Sequence, residues 1–233
     1  VLLDVKDQWP DIFSDGVPPI GMRVAKFLLR RLHKQSVDTM KKATSLSAMS
    51  VGFLEWAAER AGRSVTTQDL VCPLTTPTPI VSGEELAQAS SWWRDRGIKK
   101  TEKLRLIFVG SLSRQFDLMT ALDGVCQAAS TGIPVEAVIC GSGEMEKALR
   151  EKFQNEPSIV FAGWIDFPKY KTLATISDVS LAPYVVTEAF QLSIPNKVID
   201  AFSFALPIFT PLGGEVGELI SGKGVGWVYE EKS

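Results

Sequence analysis

Residues Ser193 to Asp200, SIPNKVID, place a proline at the start of a helical pattern and a lysine and a carboxylate within it. Ser193 can cap this helix, and Pro195 is tolerated in the first turn, where its missing N–H group leaves no hydrogen bond unmade. The N–H groups of Asn196 and Lys197 then point outward at the positive end of the helix dipole, which suits a diphosphate. Asp200 falls on the same face and could accept two hydrogen bonds from a vicinal diol such as a ribose. A helix cap followed by a surface aspartate explains the same positions without a ligand.

Two glycine-containing loops follow apolar runs. In FVGSLSRQFD, Gly110 lets the backbone approach a ligand closely, and Ser111 and Arg114 offer a hydrogen bond and a positive charge. This pattern predicts a phosphate-binding loop, and an ordinary turn with a solvated arginine fits it equally well. In ICGSGEMEKAL, Gly141 and Gly143 lack a third glycine at the spacing of a dinucleotide fingerprint, so this loop alone favours a structural turn.

Composition limits the class of protein. The 233 residues are 45% hydrophobic and 22% charged with a net charge of -2, which predicts a soluble α/β protein of one or two domains and no nucleic-acid partner. The three cysteines, Cys72, Cys126 and Cys140, are odd in number and widely spaced, and we interpret them as free thiols in a reducing cytoplasm. Apolar runs stay well below the roughly 18 residues of a membrane span, and a signal-peptide pattern is lacking.

From Leu104 onward, short apolar runs alternate with helical patterns, which predicts right-handed βαβ units and a parallel sheet. The predicted strands are LRLIFVG, VEAVICG, SIVFAG, VSLAPY, LPIFT and GVGWVY. The predicted helices start near Asp117, Glu144, Phe167, Ile194 and Glu215. Ligands of such sheets bind beyond the carboxyl ends of the strands. The candidate loops therefore open at Gly110, Gly141, Gly163, Pro183 and Pro211.

The first hundred residues follow a different pattern. VLLDVKDQWP reads as a buried strand already in progress, and Gly21 to Arg63 reads as helical. CPLTTPTPIVSG predicts an irregular connection and Glu84 to Arg96 a helix. The lysine-rich GIKKTEK is then the expected hinge between a domain at 1–100 and a domain at 101–233. We expect the chain to be truncated at both ends.

SIPNKVIDAFSFALPIFT resembles the S-x-P-x-K-x-x-E segment of group 1 (family 4) glycosyltransferases. Further segments are similar to that family in the expected order: LIFVGSLSRQFDLMTAL, AVICGSGEMEKAL, IVFAGWIDFPKYKTLATISDVSLAPY and LPIFTPLGGEVGELI. DVKDQWPDIF is similar to a segment of members that extend bacterial surface polysaccharides. The resemblance implies the GT-B type of α/β fold, with two Rossmann-like domains and an incomplete N-terminal one.

The resemblance also implies roles for residues of the C-terminal domain. The residue matching Asp200 holds the ribose hydroxyls, and the backbone around Asn196 and Lys197 faces the diphosphate. Arg114 matches the basic residue that neutralises the diphosphate as the sugar leaves, which is electrostatic stabilisation. Asp200 departs from the usual glutamate by being one methylene shorter.

The remaining implied contacts concern the base and the sugar. The backbone near Trp164 and Ile165 would meet the nucleobase, and Glu188 is the nearest acidic residue for the donor sugar. The single histidine, His33, lies in a predicted helix rather than at the strand end where many relatives place one. No catalytic base is assigned.

The implied activity is transfer of a sugar from a UDP- or GDP-sugar to a glycan or lipid-linked acceptor in surface polysaccharide biosynthesis. Retention of configuration and the absence of an essential metal are further implications of the resemblance. A sugar-nucleotide epimerase of the same fold and a non-catalytic sugar-nucleotide-binding fragment are the alternatives. We expect the 233-residue form to bind nucleotide, to self-associate and to be inactive in transfer.

A basic stretch in the predicted first helix suggests a cytoplasmic location at the inner face of the membrane. Its cations are Arg23, Lys26, Arg30, Arg31 and Lys34. Clustered cations bind anionic lipid surfaces, and a solvated helix face explains the same charges equally well.

Overall fold

The computed structural model describes residues 1–14 and 19–230, with the side chains of Ile12, Ser14, Pro19, Ile20, Met22, Arg23 and Lys26 outside that description. Its strands are β1 (Leu2–Val5), β2 (Ser45–Ala48), β3 (Leu70–Val71), β4 (Leu104–Val109), β5 (Val135–Cys140), β6 (Ile159–Gly163), β7 (Val179–Leu181), β8 (Ile208–Thr210) and β9 (Gly226–Val228). Its helices are α1 (Pro19–Lys42), α2 (Val51–Arg60), α3 (Gly83–Arg94), α4 (Leu118–Ser130), α5 (Glu146–Phe153), α6 (Phe167–Thr175), α7 (Glu188–Gln191), α8 (Asn196–Ser203) and α9 (Gly214–Lys223). A short 3-10 helix covers Asp11–Ser14.

The chain divides into two compact units. The smaller unit contains Val1–Leu74, Thr187–Ile194 and Gly214–Val216, and the larger one contains Thr75–Val186, Pro195–Gly213 and Gly217–Ser233. This division falls earlier than the boundary near residue 100 that we predict. The physical reason is α3, which packs on α6 of the larger unit and whose Trp93 indole donates a hydrogen bond to the Lys169 carbonyl at 2.9 Å.

The smaller unit is built on a three-stranded parallel sheet with the strand order β1-β2-β3. The prediction of one helical region from Gly21 to Arg63 is wrong at β2, where Ser45–Ala48 pairs with strands on both sides. Leu46 and Ala48 are fully buried there, so sheet pairing and core packing decide the conformation of a segment too short to show a period. The prediction of a buried strand is also wrong for most of β1, which lies at the sheet edge with Leu2 57% exposed.

The larger unit is built on a six-stranded parallel sheet with the order β6-β5-β4-β7-β8-β9. All six strands predicted after residue 100 are present, and the five predicted helices are α4, α5, α6, α8 and α9. The strand order reverses between β4 and β7, which is where α/β sheets of this kind open a crevice for ligands. This unit is therefore Rossmann-like, and the loops at the carboxyl ends of its strands are the expected position of a ligand-binding site.

Helix starts at this edge of the sheet are fixed by side-chain caps. The Asp117 carboxylate accepts a hydrogen bond from the Thr120 N–H group at the start of α4, and Asp166 accepts one from Lys169 at the start of α6, both at 3.1 Å. Each cap satisfies a backbone donor that the first turn leaves unpaired. The loops after β4 and β6 thus end at defined points.

In the part of the chain that the structure describes, no helix is both long enough and apolar enough to cross a membrane.

Candidate functional site

The loops after β4 and β5 cross in backbone contact. The Gly110 N–H group donates to the Cys140 carbonyl at 3.0 Å, and the Gly141 N–H group donates to the Gly163 carbonyl at 2.8 Å. Gly141 has φ +136, and a Cβ atom there would lie 1.8 Å from the Gly110 carbonyl oxygen. Only glycine allows this approach, because a side chain at Gly141 would overlap backbone that cannot yield. The predicted glycine loops are therefore one structural feature.

The crossing loops border a cavity of about 320 Å³ in the larger unit. Its walls are Val109, Gly110, Ser111, Cys140, Gly141, Ser142, Trp164 and Ile165. Three predicted site residues of the two glycine loops, Gly110, Ser111 and Gly141, and the two predicted base-contact residues thus line one space. Trp164 is 73% exposed, whereas Ile165 is buried. This combination offers an apolar floor, backbone polar groups and an aromatic rim, which suits a flat ring.

Cys140 closes the cavity floor. Its side chain is fully buried, and burial raises the pKa of the thiol to about 12, more strongly than the nearby Lys197 charge lowers it. The thiol is therefore neutral at physiological pH and acts as a small apolar wall.

Lys197 of α8 reaches under Gly110 with its side chain. Its Nζ donates a hydrogen bond to the Val109 carbonyl and lies 3.9 Å from the centre of the Phe108 ring. A Cβ atom at Gly110, which has φ +154, would lie 2.6 Å from this Nζ. The ammonium group thus takes the space that a side chain at Gly110 would need. Only 8% of Lys197 is exposed, and burial lowers its pKa to about 8, although the charge of Asp200 acts in the opposite direction.

The start of α8 differs in detail from the prediction. The helix begins at Asn196 with Pro195 as N-cap, and the cap makes no side-chain hydrogen bond. The prediction that Ser193 caps α8 is wrong: Ser193 belongs to the smaller unit, and its hydroxyl donates to the Phe190 carbonyl at 3.4 Å. Proline fixes the entry into the helix by its restricted φ, which makes a side-chain cap unnecessary.

The two N–H groups predicted to face a ligand are placed differently. Asn196 is exposed at the first position of the helix. The backbone N–H group of Lys197 donates a hydrogen bond to the Tyr184 hydroxyl. Burial raises the pKa of Tyr184 more strongly than this hydrogen bond lowers it. Of the two N–H groups predicted to face a ligand, the one of Lys197 is therefore already engaged within the protein.

The Asp200 carboxylate lies one turn into α8 and has a partner from the connecting segment of the larger unit. The Thr76 hydroxyl donates a hydrogen bond to its Oδ1 atom. Burial raises the pKa of Tyr170, and the negative charge of Asp200 adds to that rise. Asp200 is therefore set among hydroxyl and ammonium groups rather than standing alone at the surface.

Arg114 lies outside the cavity walls. Its side chain is 81% exposed and its Nε is 3.7 Å from Glu144 Oε2, while its backbone N–H group donates to Glu144 Oε1 at 3.2 Å. Gly143 lines a separate shallow pocket together with Glu144. Glu188 begins α7 of the smaller unit. Together with Ser193, these three are the predicted site residues that lie outside both the cavity walls and α8 with its N-cap Pro195.

Sequence reasoning missed three contributors. Thr76 lies in a stretch read only as irregular, although its repeated threonines and prolines are an unusual concentration of hydroxyl groups. The sequence predicts Cys140 only as a free thiol, without a place in the site. The prediction for Lys197 concerns its backbone, and the spacing gives no sign that the side chain reaches under Gly110.

Comparison with known proteins gives the relatives of this chain. The family model described as Glycosyl transferases group 1 matches residues 103–233. A putative colanic acid biosynthesis glycosyltransferase, WcaL, from Salmonella typhimurium is 26% identical over 132 residues, which is 55% of this chain and 32% of WcaL. The Escherichia coli WcaL gives the same identity and coverage. The chain thus spans about a third of the length of the curated relatives it matches.

Solved structures show the same fold. WaaG, a glycosyltransferase involved in lipopolysaccharide biosynthesis, superimposes with a TM-score of 0.65 and 15% identity, covering 99% of this chain and 61% of WaaG. HepE from Anabaena, solved in complex with UDP, gives a TM-score of 0.59 and 16% identity, covering 100% of this chain and 58% of HepE. The α/β architecture with parallel, Rossmann-like sheets is the one these glycosyltransferases share.

Proposed function

Since this chain belongs to the family of group 1 glycosyl transferases, we propose that it binds a nucleoside diphosphate sugar, UDP- or GDP-linked, in its larger unit. The protein transfers the sugar to a glycan or lipid-linked acceptor in the synthesis of a surface polysaccharide. WcaL is a putative colanic acid biosynthesis glycosyltransferase and WaaG is involved in lipopolysaccharide biosynthesis, and both support this class of product. The UDP bound to HepE supports the class of donor.

The observation that carries the proposal is the crossing of the Gly110 and Gly141 loops beside the start of α8. Two glycine backbones in contact keep side chains away from this part of the cavity, so a ligand can approach the backbone of both loops closely. The exposed Asn196 at the helix start adds the positive end of a dipole. Neutral walls for a base thus adjoin a place suited to a diphosphate.

Each part of the nucleotide has a proposed partner. The base lies in the cavity against Ile165 and the Trp164 rim, and the Asp200 carboxylate accepts hydrogen bonds from the ribose diol. The diphosphate lies between the Gly110 loop and Asn196.

Chemistry in this arrangement is stabilisation of a leaving group. As the bond to the sugar breaks, negative charge grows on the departing diphosphate, and a cation placed there lowers the barrier. Arg114 supplies that charge from the loop after β4, with Lys197 beneath the same loop. We further propose retention of configuration, no essential metal, and an acceptor held by the smaller unit.

Calorimetric titration with UDP and with GDP tests the donor site. We expect one of them to bind, and Asp200→Ala to weaken it by roughly 10- to 100-fold, since a hydrogen bond to a charged partner contributes about 1.5 to 3 kcal/mol. Asp95→Ala, an exposed aspartate at the end of α3, is the matched control and should leave the affinity unchanged.

Two results would count against the proposal. Absence of UDP and GDP binding by the wild-type chain would remove the donor site altogether. Unchanged affinity in a folded Asp200→Ala variant would remove Asp200 from it. Incubation with UDP- and GDP-sugars separates transfer from epimerisation, because transfer releases free nucleotide whereas epimerisation exchanges the hydrogen at C2 of the sugar.

A further inference from the structure

The connection between β3 and α3 contributes a side chain to α8. The segment is CPLTTPTPIVS, which forms no regular structure, and its Thr76 hydroxyl donates a hydrogen bond to Asp200 Oδ1. The two residues are 124 positions apart in the chain, and both belong to the larger unit. The prolines on either side, Pro73 and Pro77, restrict the backbone and so reduce the number of positions the hydroxyl can take.

The hydrogen bond fixes one half of the carboxylate. An ionised carboxylate has two oxygens with about four lone-pair positions, so a hydroxyl on Oδ1 leaves acceptor capacity for another ligand. Asp200 has a short side chain, and holding Oδ1 sets the torsion of the carboxyl plane and hence the direction of Oδ2. Hydrogen bonds to ionised acceptors are among the stronger ones, so this restraint is effective.

The neighbours of Asp200 make such orientation necessary. Lys197 lies one turn away on α8 and attracts the carboxylate, and Tyr170 lies close enough for the two groups to interact electrostatically. The Thr76 hydroxyl holds the carboxylate in one orientation among these groups.

We propose that Thr76 is a positioning residue that orients Asp200 toward the ribose diol of the nucleotide and thereby sets the preference for ribose over deoxyribose. The proposal rests on the proposed function, in which Asp200 accepts hydrogen bonds from that diol. A site built to hydrogen-bond a substrate hydroxyl rejects the analogue that lacks it, because the polar group of the protein is then left unpaired. The sharper the orientation of the carboxylate, the larger this rejection.

The experiment compares affinities for UDP and 2′-deoxy-UDP, and for GDP and 2′-deoxy-GDP, by calorimetry on the 233-residue chain. We expect the wild type to prefer the ribonucleotide by about tenfold or more, since one hydrogen bond to a charged group is lost in the deoxy form. Thr76→Val keeps the shape but removes the donor, and the preference should fall to within about threefold. Thr76→Ser restores the donor and should restore the preference.

Thr78→Val is the matched control, since Thr78 is exposed in the same segment. It should keep the wild-type preference, which shows that the effect belongs to the Thr76 hydroxyl rather than to any change in the segment. Thermal unfolding verifies that the variants are folded, and Thr76→Ala replaces Thr76→Val if the valine is not accommodated.

Four outcomes overturn the inference. A Thr76→Val variant with the full wild-type preference shows that Asp200 needs no orientation by Thr76. A variant that binds UDP or GDP more tightly than the wild type shows that Thr76 competes with the ligand. A wild type without a ribose preference overturns both this inference and the proposed contact of Asp200 with the diol. Loss of the preference in Asp200→Ala but not in Thr76→Val overturns this inference alone.

Discussion

Replacing Lys197 by methionine should change how the stability of the protein depends on pH. The lysine is almost fully buried in the larger unit and donates its hydrogen bond to the Val109 carbonyl from beneath Gly110. Burial, the largest influence, lowers its pKa from 10.5 to about 8. Methionine has a similar length and fits the same space without a charge, so the variant removes the titrating group while keeping most of the packing.

The magnitude follows from the shift in pKa. The shift from 10.5 to about 8 means that the charged side chain costs the folded state about 3 kcal/mol at pH 7, at about 1.4 kcal/mol for each unit. Between pH 8 and 10.5 the unfolded chain keeps the Lys197 proton and the folded chain has lost it, so the free energy of unfolding rises with pH. From pH 7 to 9.5 this one group should add about 2 kcal/mol.

Other groups titrate in the same pH range, and comparing the wild type with the variant cancels their contributions to the free energy of unfolding. The Cys140 thiol, whose pKa burial raises to about 12, lowers the free energy of unfolding above pH 9, but it is present in both proteins. The variant also leaves the Val109 carbonyl without its donor, which costs about 1 to 3 kcal/mol at every pH. The difference between wild type and Lys197→Met should therefore increase with pH whatever its value at pH 7.

Urea denaturation followed by circular dichroism at pH 7, 8, 9 and 9.5 measures this difference. Lys147→Met is the control, since that side chain is 87% exposed on α5, and it should follow the wild type at each pH. If the wild type and Lys197→Met give parallel curves, so that their difference stays constant across the series, the ammonium group is not buried and charged as described. A difference that decreases with pH would give the wrong sign and refute the reasoning as well.

Three further changes test the loops and the basic helix. Gly141→Ala should destabilise the larger unit by about 3 kcal/mol or more in a urea titration, because its Cβ would overlap the Gly110 carbonyl. Gly124→Ala in α4, where a Cβ meets open space, is the control and should stabilise the protein by about 0.5 to 1 kcal/mol. Equal effects of the two substitutions would disprove the close contact. Arg114→Ala should slow the release of nucleotide from a UDP- or GDP-sugar more than it weakens donor binding, because the charge is needed most as the diphosphate departs. Equal losses of rate and of donor affinity would indicate that Arg114 acts only in ground-state binding. Replacing Arg30 and Arg31 by glutamate should abolish sedimentation with anionic liposomes at low salt, since each cation near such a surface contributes about 1 kcal/mol, and binding that is insensitive to lipid charge and to salt would exclude this surface.

The sequence was most informative for the larger sheet. Its strands are buried between layers of helices and therefore appear as continuous apolar runs such as VEAVICG, which helical patterns separate. In the smaller unit the four residues of β2, Ser45–Ala48, contain one large apolar side chain between two helices. Nothing in so short a segment distinguishes a strand from a helical turn, and pairing with β1 and β3 decides its conformation.

The site could be located from the sequence but not assembled from it. Positions beyond strand ends follow from topology, which is why Gly110, Gly141 and Trp164 line one cavity. The contact of Thr76 with Asp200 joins segments 124 residues apart, and no local spacing encodes it. Our expectation for Ser193 failed for a related reason, because a cap depends on the direction from which the chain enters the helix and not only on residue type.

The two cations of the proposed diphosphate site differ in the way they are held, and this difference matches two separate tasks. Lys197 is buried and bonded to the Val109 carbonyl, so its charge stays in place and its cost is met by the folded state before any ligand binds. Arg114 is exposed and paired with Glu144, and exposed ion pairs of this kind contribute only about 0 to 1 kcal/mol. A diphosphate can therefore draw Arg114 away from Glu144 at little cost. Fixed charge favours binding of the donor, whereas a charge that can follow the leaving group favours the transition state, and in this site the two are carried by different residues.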